Sequence, residues 1–388
     1  MFARLAWLAL GTFAIGTETW VIAALLPPIA GDLAVQIATA GALVIAFALA
    51  YAIGSPVLAV IAGQLDRKWL LVGCLGVFTL ANIGAAEAQS FAQLLLARVL
   101  MALASGLYVP TASAVATALV SPEQRGRAIS IVIGGMAVAV AFGAPLGAFI
   151  GAATNWRMTF AMIAVLGAIA VVGLLIGLPR NLPRPVSTLT QRLEVARRPE
   201  ILHGLTVTLL FATGVFSVFT YLAPLLSQAV GFDAHGISAT LFLFGVAAAL
   251  GNAIGGISAD RFGALRTVRT SLAALTLVLA LLGAAAAAHL APAVVIGVGL
   301  WGLLGWAFYA AQMANLVRLA PELAMVTLSL NASTFYFGVA LGSLTGSLVL
   351  RLGAGKLAFI AAALELAALA ILQFEPRPLP RVAREDAA

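Results

Sequence analysis

Ala62-Gly63-Gln64-Leu65-Asp66-Arg67-Lys68 closes one apolar stretch, and Gly256-Ile257-Ser258-Ala259-Asp260-Arg261-Phe262-Gly263-Ala264-Leu265-Arg266 closes another. The two Asp-Arg pairs lie 194 residues apart, half of the 388-residue chain. A charged signature that recurs at half length among hydrophobic helices implies that one half was copied. Both copies then turn the same charged loop to the same side of a membrane.

Composition agrees with a bilayer as the main solvent. Hydrophobic residues make up 63% of the chain and charged ones 9%, where a soluble domain carries about 25% charged residues. The net charge is +7, but the basic residues fall in short clusters between apolar runs, as they do in cytoplasmic loops. They are not interleaved with aromatics as a nucleic-acid surface would be, so no nucleic-acid partner is expected. The single Cys74 lies inside an apolar run, which excludes disulfides within the chain and argues against a thiolate metal site. The N-terminal apolar run passes signal-peptide length and carries Glu18, Pro27 and Pro28 without a clear cleavage site, so no cleavable signal or transit peptide is expected.

Runs long enough to span, roughly 20 apolar residues each, number twelve: 5–26, 36–61, 70–88, 91–118, 128–152, 157–177, 202–228, 236–258, 268–290, 292–317, 324–350 and 356–374. The expected fold class is an all-α membrane protein, with twelve transmembrane helices in two pseudo-symmetric six-helix bundles. One bundle is 1–177 and the other 201–374, joined by a polar linker at 178–200 rich in Pro and Arg, with a tail at 375–388. Within the linker, 187–198 reads as a short surface helix with Leu189, Leu193 and Val195 as its apolar contacts. With both termini inside, 17 of the 21 basic residues fall on the inner side. Arg157, Arg351 and Lys356 stay outside, and Arg98 lies within a span. That asymmetry follows the positive-inside rule and supports an even helix count.

Besides histidines, three ionisable side chains fall well inside spans: Glu18, Arg98 and Glu365. Each carries an insertion cost of about 2.5–3.5 kcal/mol and so needs a reason. Glu18 sits roughly 20 Å from the inner face, and Arg98 roughly 10 Å from the outer one, at 1.5 Å per residue. In a core about 30 Å thick the two share a depth. An ion pair, or two charges in one aqueous cavity, is therefore allowed. Glu18 would bind and release a proton with Arg98 as its modulator; the competing reading is a permanent pair that only locks helix 1 to helix 4. Glu365 has no basic partner assignable from sequence. His203, His235 and His289 lie at span edges, where a histidine is ordinarily solvated.

Gly143-Ala144-Pro145-Leu146-Gly147 in helix 5 is at once a small-residue packing seam and a pliable hinge, since Pro145 removes one backbone hydrogen bond. The second half has no intramembrane acid matching Glu18. It offers Tyr221, Asn252, Tyr309, Gln312, Asn315, Asn331, Thr334 and Tyr336, with Trp301 and Trp306 on helix 10. Some of these hold helices together. Tyr309 and Gln312, at i and i+3, share a face. With Tyr108 and Thr111 of helix 4, and with Tyr221, Asn331 and Tyr336, they form the candidate substrate cavity.

At these residues the chain resembles the major facilitator superfamily over nearly its whole length. It is similar to the twelve-helix drug:proton antiporter group, and within it to the branch of arabinose, purine-nucleoside and chloramphenicol efflux proteins. Gly16-Thr17-Glu18 followed by Leu25-Leu26-Pro27, Ala30, Asp32 and Leu33 resembles that group's helix-1 signature. Gly63 to Lys68 resembles the loop 2–3 gating motif, with Gly256, Asp260, Arg261, Gly263 and Arg266 as its second copy. Arg98 with Gly106 resembles the helix-4 motif linked to proton transfer. Gly143, Pro145 and Gly147 resemble the antiporter motif, which Trp156, Arg157 and Phe160 continue. The first loop motif departs from pattern at Ala62 and Trp69, and the helix-5 Gly-Pro pair is spaced by Ala144.

The resemblance implies a monomeric, proton-driven exporter of a small organic compound in a bacterial inner membrane, working by alternating access. Its partners would be a small-molecule substrate, protons and the lipid bilayer. Asp66, Arg67, Lys68, Asp260, Arg261 and Arg266 would be gating residues. Proton-coupled uptake is the alternative within the same class. An intramembrane enzyme would need a nucleophile–base set or a ligand cluster within the spans, and none is evident; a sensor that does not transport would make Glu18 dispensable.

Overall fold

The computed structural model describes residues 2–121, 124–179, 197–321 and 324–374. The tail, and all but the ends of the linker and of its surface-helix reading, lie outside the described residues. Twelve described helices are long and apolar enough to cross a membrane. They are α1 Phe2–Asp32, α2 Ala42–Ile61, α3 Arg67–Ala86, α4 Phe91–Ala118, α5 Arg125–Ala153, α6 Trp156–Gly177, α7 Pro199–Phe219, α8 Ala234–Phe262, α9 Ala264–Ala287, α10 Ala291–Leu319, α11 Ala324–Leu350 and α12 Ala354–Phe374. Helices are what an apolar chain must form in lipid, where no water can satisfy a free backbone group. Polar residues mark their starts. Asp66 caps α3 by accepting from the Lys68 and Trp69 N–H groups at 3.0 and 3.2 Å. Asn155 caps α6 at the Met158 N–H, and Asp233 caps α8 at the Gly236 N–H.

Helix pairings repeat between the halves. In α1–α6, α1 packs on α5 and α6, and α3 on α4 and α6; in α7–α12, α7 packs on α11 and α12, and α9 on α10 and α12. Two pseudo-symmetric six-helix bundles result, and they meet along two seams, α2 against α11 and α5 against α8. At the second seam a β-carbon on Gly245 of α8 would lie 2.9 Å from the Ala141 Cα of α5. Small residues thus let the backbones of the two bundles touch.

The copies diverge where their sequences do. The chain runs helical through Pro27 and Pro28 to Asp32. In the second half, α7 stops at Phe219, turns at Thr220 and Tyr221, and resumes over Leu222–Val230. Pro224 has no N–H to give the Thr220 carbonyl, so the ladder lacks a bond at the break. The expected single span 202–228 is therefore a broken one. The Asp-Arg copies are also not equivalent. Asp66 precedes its helix, after a 3-10 turn at Ala62–Gln64 and an extended Leu65. Asp260 and Arg261 lie in the last turn of α8, and the chain reverses only at Gly263, whose φ of 92° favours glycine.

Candidate functional site

Glu18 and Arg98 meet. Arg98 Nη1 and Glu18 Oε1 form an ion pair between α4 and α1, with 1% and 0% of the two side chains exposed. Arg98 also donates from Nε to the Leu43 carbonyl of α2 at 3.3 Å. Its guanidinium lies 4.3 Å from the centroid of the Phe47 ring. The arginine is therefore held from three sides, by a carboxylate, a carbonyl and a ring face. Taking two charges out of water costs several kcal/mol per ion, which the pair offsets only through such extra contacts.

Close packing brings Glu18 to this place. On α1, Gly16 faces Met136 and Ala139 of α5. From α5, Gly143 comes against Thr17 and Phe13, and Gly147 against Val21, where a β-carbon would stand 2.9 Å from Cγ2. These glycines line one seam. Within it, α5 takes a π-helical turn over Ala139–Gly143, just before Pro145. The π turn absorbs the register change that the missing proline N–H imposes.

Next to the ion pair lie two small adjoining cavities. One, about 20 Å3, is bordered by Thr19, Arg98, Thr220, Phe47 and Tyr336 among others. The other, about 30 Å3, is almost wholly aromatic: nine of its eleven lining residues are Trp, Phe or Tyr. Trp20, Phe216, Phe219 and Phe335 border both. The second half supplies most of the aromatic wall, from Phe211 of α7, Phe244 of α8 and Trp301, Trp306 and Tyr309 of α10. Trp20 of α1 inserts into it, 5.2 Å from Phe219 and 5.5 Å from both Phe216 and Trp306. Each space is of the order of one or two water molecules, so the halves are closed here. From the ion pair the contacts run on to the α2–α11 seam. Phe47, under Arg98, lies 6.2 Å from Tyr336, and Tyr336 stacks on Tyr51 at 3.7 Å.

Tyr309 and Tyr336 border these cavities; the other residues expected there do not. Tyr108 is fully buried against Gly11, and its hydroxyl donates to the Leu8 carbonyl at 3.1 Å. Thr111 donates to its own helix at Leu107. Tyr221 donates to the Ser343 carbonyl and packs on Gly41. Gln312, Thr208 and Asn331 join α10, α7 and α11: Gln312 Nε2 donates to the Gly204 carbonyl and to Thr208, and Thr208 donates to Asn331. These five side chains are engaged in helix packing. Pattern reading selected polar residues, whereas the walls are aromatic. The available signal was Phe211, Phe216 and Phe219 on one helix together with Trp20, at depths where a lipid-facing belt of aromatics is not expected.

Lys68 is 8% exposed and donates from Nζ to the Leu175 and Leu178 carbonyls, both at 2.7 Å, so it closes the end of α6. Asp260, Arg261 and Arg266 are exposed, with the Arg261 guanidinium 5.3 Å from the Phe262 ring. At the opposite end Arg157 ties three elements: it pairs with Asp32, donates to the Ala88 carbonyl at 2.9 Å and stacks on Trp156. Two histidines are also engaged: His203 Nε2 meets the Ile371 carbonyl and His289 Nδ1 the Ala229 carbonyl.

Glu365 is fully buried on α12, and among the described residues neither carboxyl oxygen has a hydrogen-bond partner. It lies against Gly214 of α7, where a β-carbon would come 2.5 Å from Oε1.

The pattern shared by the Major Facilitator Superfamily matches residues 8–343 and 205–387. The chain is 31% identical over 336 residues to the uncharacterized MFS-type transporter YbcL of Bacillus subtilis, covering 87% of this chain and 86% of that one. To the inner membrane transport protein YdhP of Escherichia coli O157:H7 it is 31% identical, covering 90% and 89%. To a chloramphenicol resistance protein of Streptomyces lividans it is 33% identical over 66% of each chain. Among solved structures, a D-xylose-proton symporter superposes with a TM-score of 0.79 at 17% identity, covering 97% of this chain and 98% of that one. That last likeness concerns the fold alone.

Proposed function

The chain belongs to the major facilitator superfamily, and from that premise we propose that it is a proton-coupled secondary transporter exporting a small organic compound across a bacterial inner membrane. The observation that carries this reading is the buried Glu18–Arg98 pair beside a closed cavity between the two bundles. An ionisable pair inside the membrane marks a functional site by default, and Arg98 of this pair borders the cavity. The chloramphenicol resistance protein among its relatives favours export.

The bundles 1–177 and 201–374 rock as bodies about the central cavity, with the linker and both termini on the cytoplasmic side. With Glu18 ionised, the pair is neutral and Arg98 is held on α1. A proton arriving from outside breaks the pair. Arg98 then keeps the Leu43 carbonyl and the Phe47 ring, one ring away from the Tyr51–Tyr336 stack. The α2–α11 seam is thus the two-state element that the proton biases. Substrate leaves as the proton binds; inside, substrate binding favours the ionised pair again. The charged loops at Asp66–Lys68 and Asp260–Arg266 serve as gate regions on the cytoplasmic side. Gly143, Pro145 and Gly147 serve as the seam along which α5 shifts on α1.

Inverted vesicles carrying the protein, acidified inside, test this with chloramphenicol as probe. Accumulation that collapses with the proton gradient is expected, and Glu18→Gln abolishes it while the protein still inserts and folds. Gradient-driven accumulation only in right-side-out vesicles would reverse the direction to uptake.

A further inference from the structure

The two adjoining cavities differ in chemistry, and together they describe a ligand. In the aromatic one, the only side-chain polar atoms are the Tyr309 hydroxyl and the indole nitrogens. Its rings meet edge-on or tilted at 4.9–6.2 Å, as in Tyr309–Phe335, Phe216–Phe219, Trp20–Trp306 and Phe219–Trp301. A flat aromatic guest would exchange ring–ring contacts for others of the same kind. A polyol would lose water from each hydroxyl and regain few partners.

The second cavity supplies the polar end. Thr220 lines it, is 1% exposed, and its hydroxyl has no hydrogen-bond partner among the described residues. It stands at the break of α7, where its N–H still closes on the Phe216 carbonyl but Pro224 has no N–H for its own carbonyl. Thr19 and Tyr336 face the same space. Among the described residues, the only charged one bordering either cavity is Arg98, whose charge Glu18 cancels. An organic cation would find rings but no free carboxylate, and would meet an unbalanced Arg98 whenever Glu18 takes a proton. With the pair intact, an organic anion would find its counter-charge already engaged. Ring attraction for a cation does not compensate for burying an unpaired charge.

We infer that, when the halves part and these two water-sized spaces merge and widen, this site takes an uncharged aromatic compound with one hydrogen-bonding arm, the ring between Trp20, Phe216 and Trp306 and the arm on Thr220. The inference rests on the transporter reading for its purpose, but its test is binding alone.

Four probes separate the possibilities on the purified full chain in detergent, with calorimetry as the readout. They are chloramphenicol (an uncharged aromatic diol), tetraphenylphosphonium (an aromatic cation), benzoate (an aromatic anion) and arabinose (a polyol). Chloramphenicol is expected to bind and the other three to bind at least tenfold more weakly. Thr220→Val, which removes one hydroxyl at nearly constant shape, should weaken chloramphenicol binding about three- to tenfold with an unchanged thermal transition. Trp306→Leu should weaken it further. Tighter binding of any other probe, binding of none, or unchanged affinity in Thr220→Val overturns the inference. Selective binding without gradient-driven transport would instead overturn the transport reading and leave the ligand class standing.

Discussion

Among the described residues, each half of this molecule buries one glutamate in a spanning helix, and the two are kept in opposite ways. Glu18 on α1 meets Arg98, itself fixed by a carbonyl and a ring. Glu365 on α12 meets the bare backbone of Gly214, with no cation and no donor on its carboxyl among the described residues. A carboxylate without a counter-charge is far costlier there than a neutral acid. Arg98 gives Glu18 a counter-charge, whereas among the described residues the Glu365 site offers none. On the proposed coupling, burial alone does not set Glu18 apart from Glu365; a partner that gains and loses something with the proton does.

The comparison breaks most visibly at Arg98. Arg98→Leu strands Glu18 in the core and should lower stability by about 3–5 kcal/mol, seen in thermal unfolding in detergent. Adding Glu18→Leu should recover most of that loss while transport stays absent. Next comes Lys68→Met, which leaves the Leu175 and Leu178 carbonyls without their charged donor. A cost of about 3 kcal/mol is expected with little salt dependence, because the contact is buried. Gly214→Ala drives a methyl against Oε1 of Glu365 and within 3.2 Å of the Ala361 carbonyl. It should cost about 1–3 kcal/mol, and Glu365→Ala in the same chain should relieve part of that, a coupling that a double-mutant cycle reads. The smallest effect belongs to Glu365→Leu. It removes an acid that makes no hydrogen bond among the described residues, at similar volume, and stability should stay within about 1 kcal/mol of wild type. A loss as large as that of Arg98→Leu would show that the two acids are kept alike.

Much of the fold was legible because lipid demands it. Apolar runs of spanning length give helix number from simple counting. The expected 91–118 and the observed α4 share both ends. What periodicity could not give is the break at Thr220–Tyr221, a local matter of which carbonyl Pro224 leaves without its bond, or the placement of Asp260 inside α8, set by the turn at Gly263. At the site, depth arithmetic put Glu18 and Arg98 within reach, since two charges at one level leave few arrangements. The walls were less legible. In a chain that is 63% hydrophobic, polar side chains draw attention, yet Tyr108, Thr111, Tyr221, Gln312 and Asn331 are occupied by neighbouring helices, whereas Trp20, Phe216 and Phe219 face the cavity. Which face of an apolar helix meets lipid and which meets a cavity is decided by packing, and a uniformly apolar helix does not print it in its pattern.

The central claim is that Glu18 gains and loses a proton while Glu365 does not. Infrared difference spectroscopy of the reconstituted protein between acid and alkaline buffer tests it without any substrate. A protonated-carboxyl band should grow on acidification and vanish from the difference spectrum of Glu18→Gln. A second such band, present at both pH values, should disappear from the absolute spectrum of Glu365→Gln alone. If Glu18→Gln gives the same difference spectrum as wild type, Glu18 is a fixed half of a structural ion pair and the account of coupling is wrong.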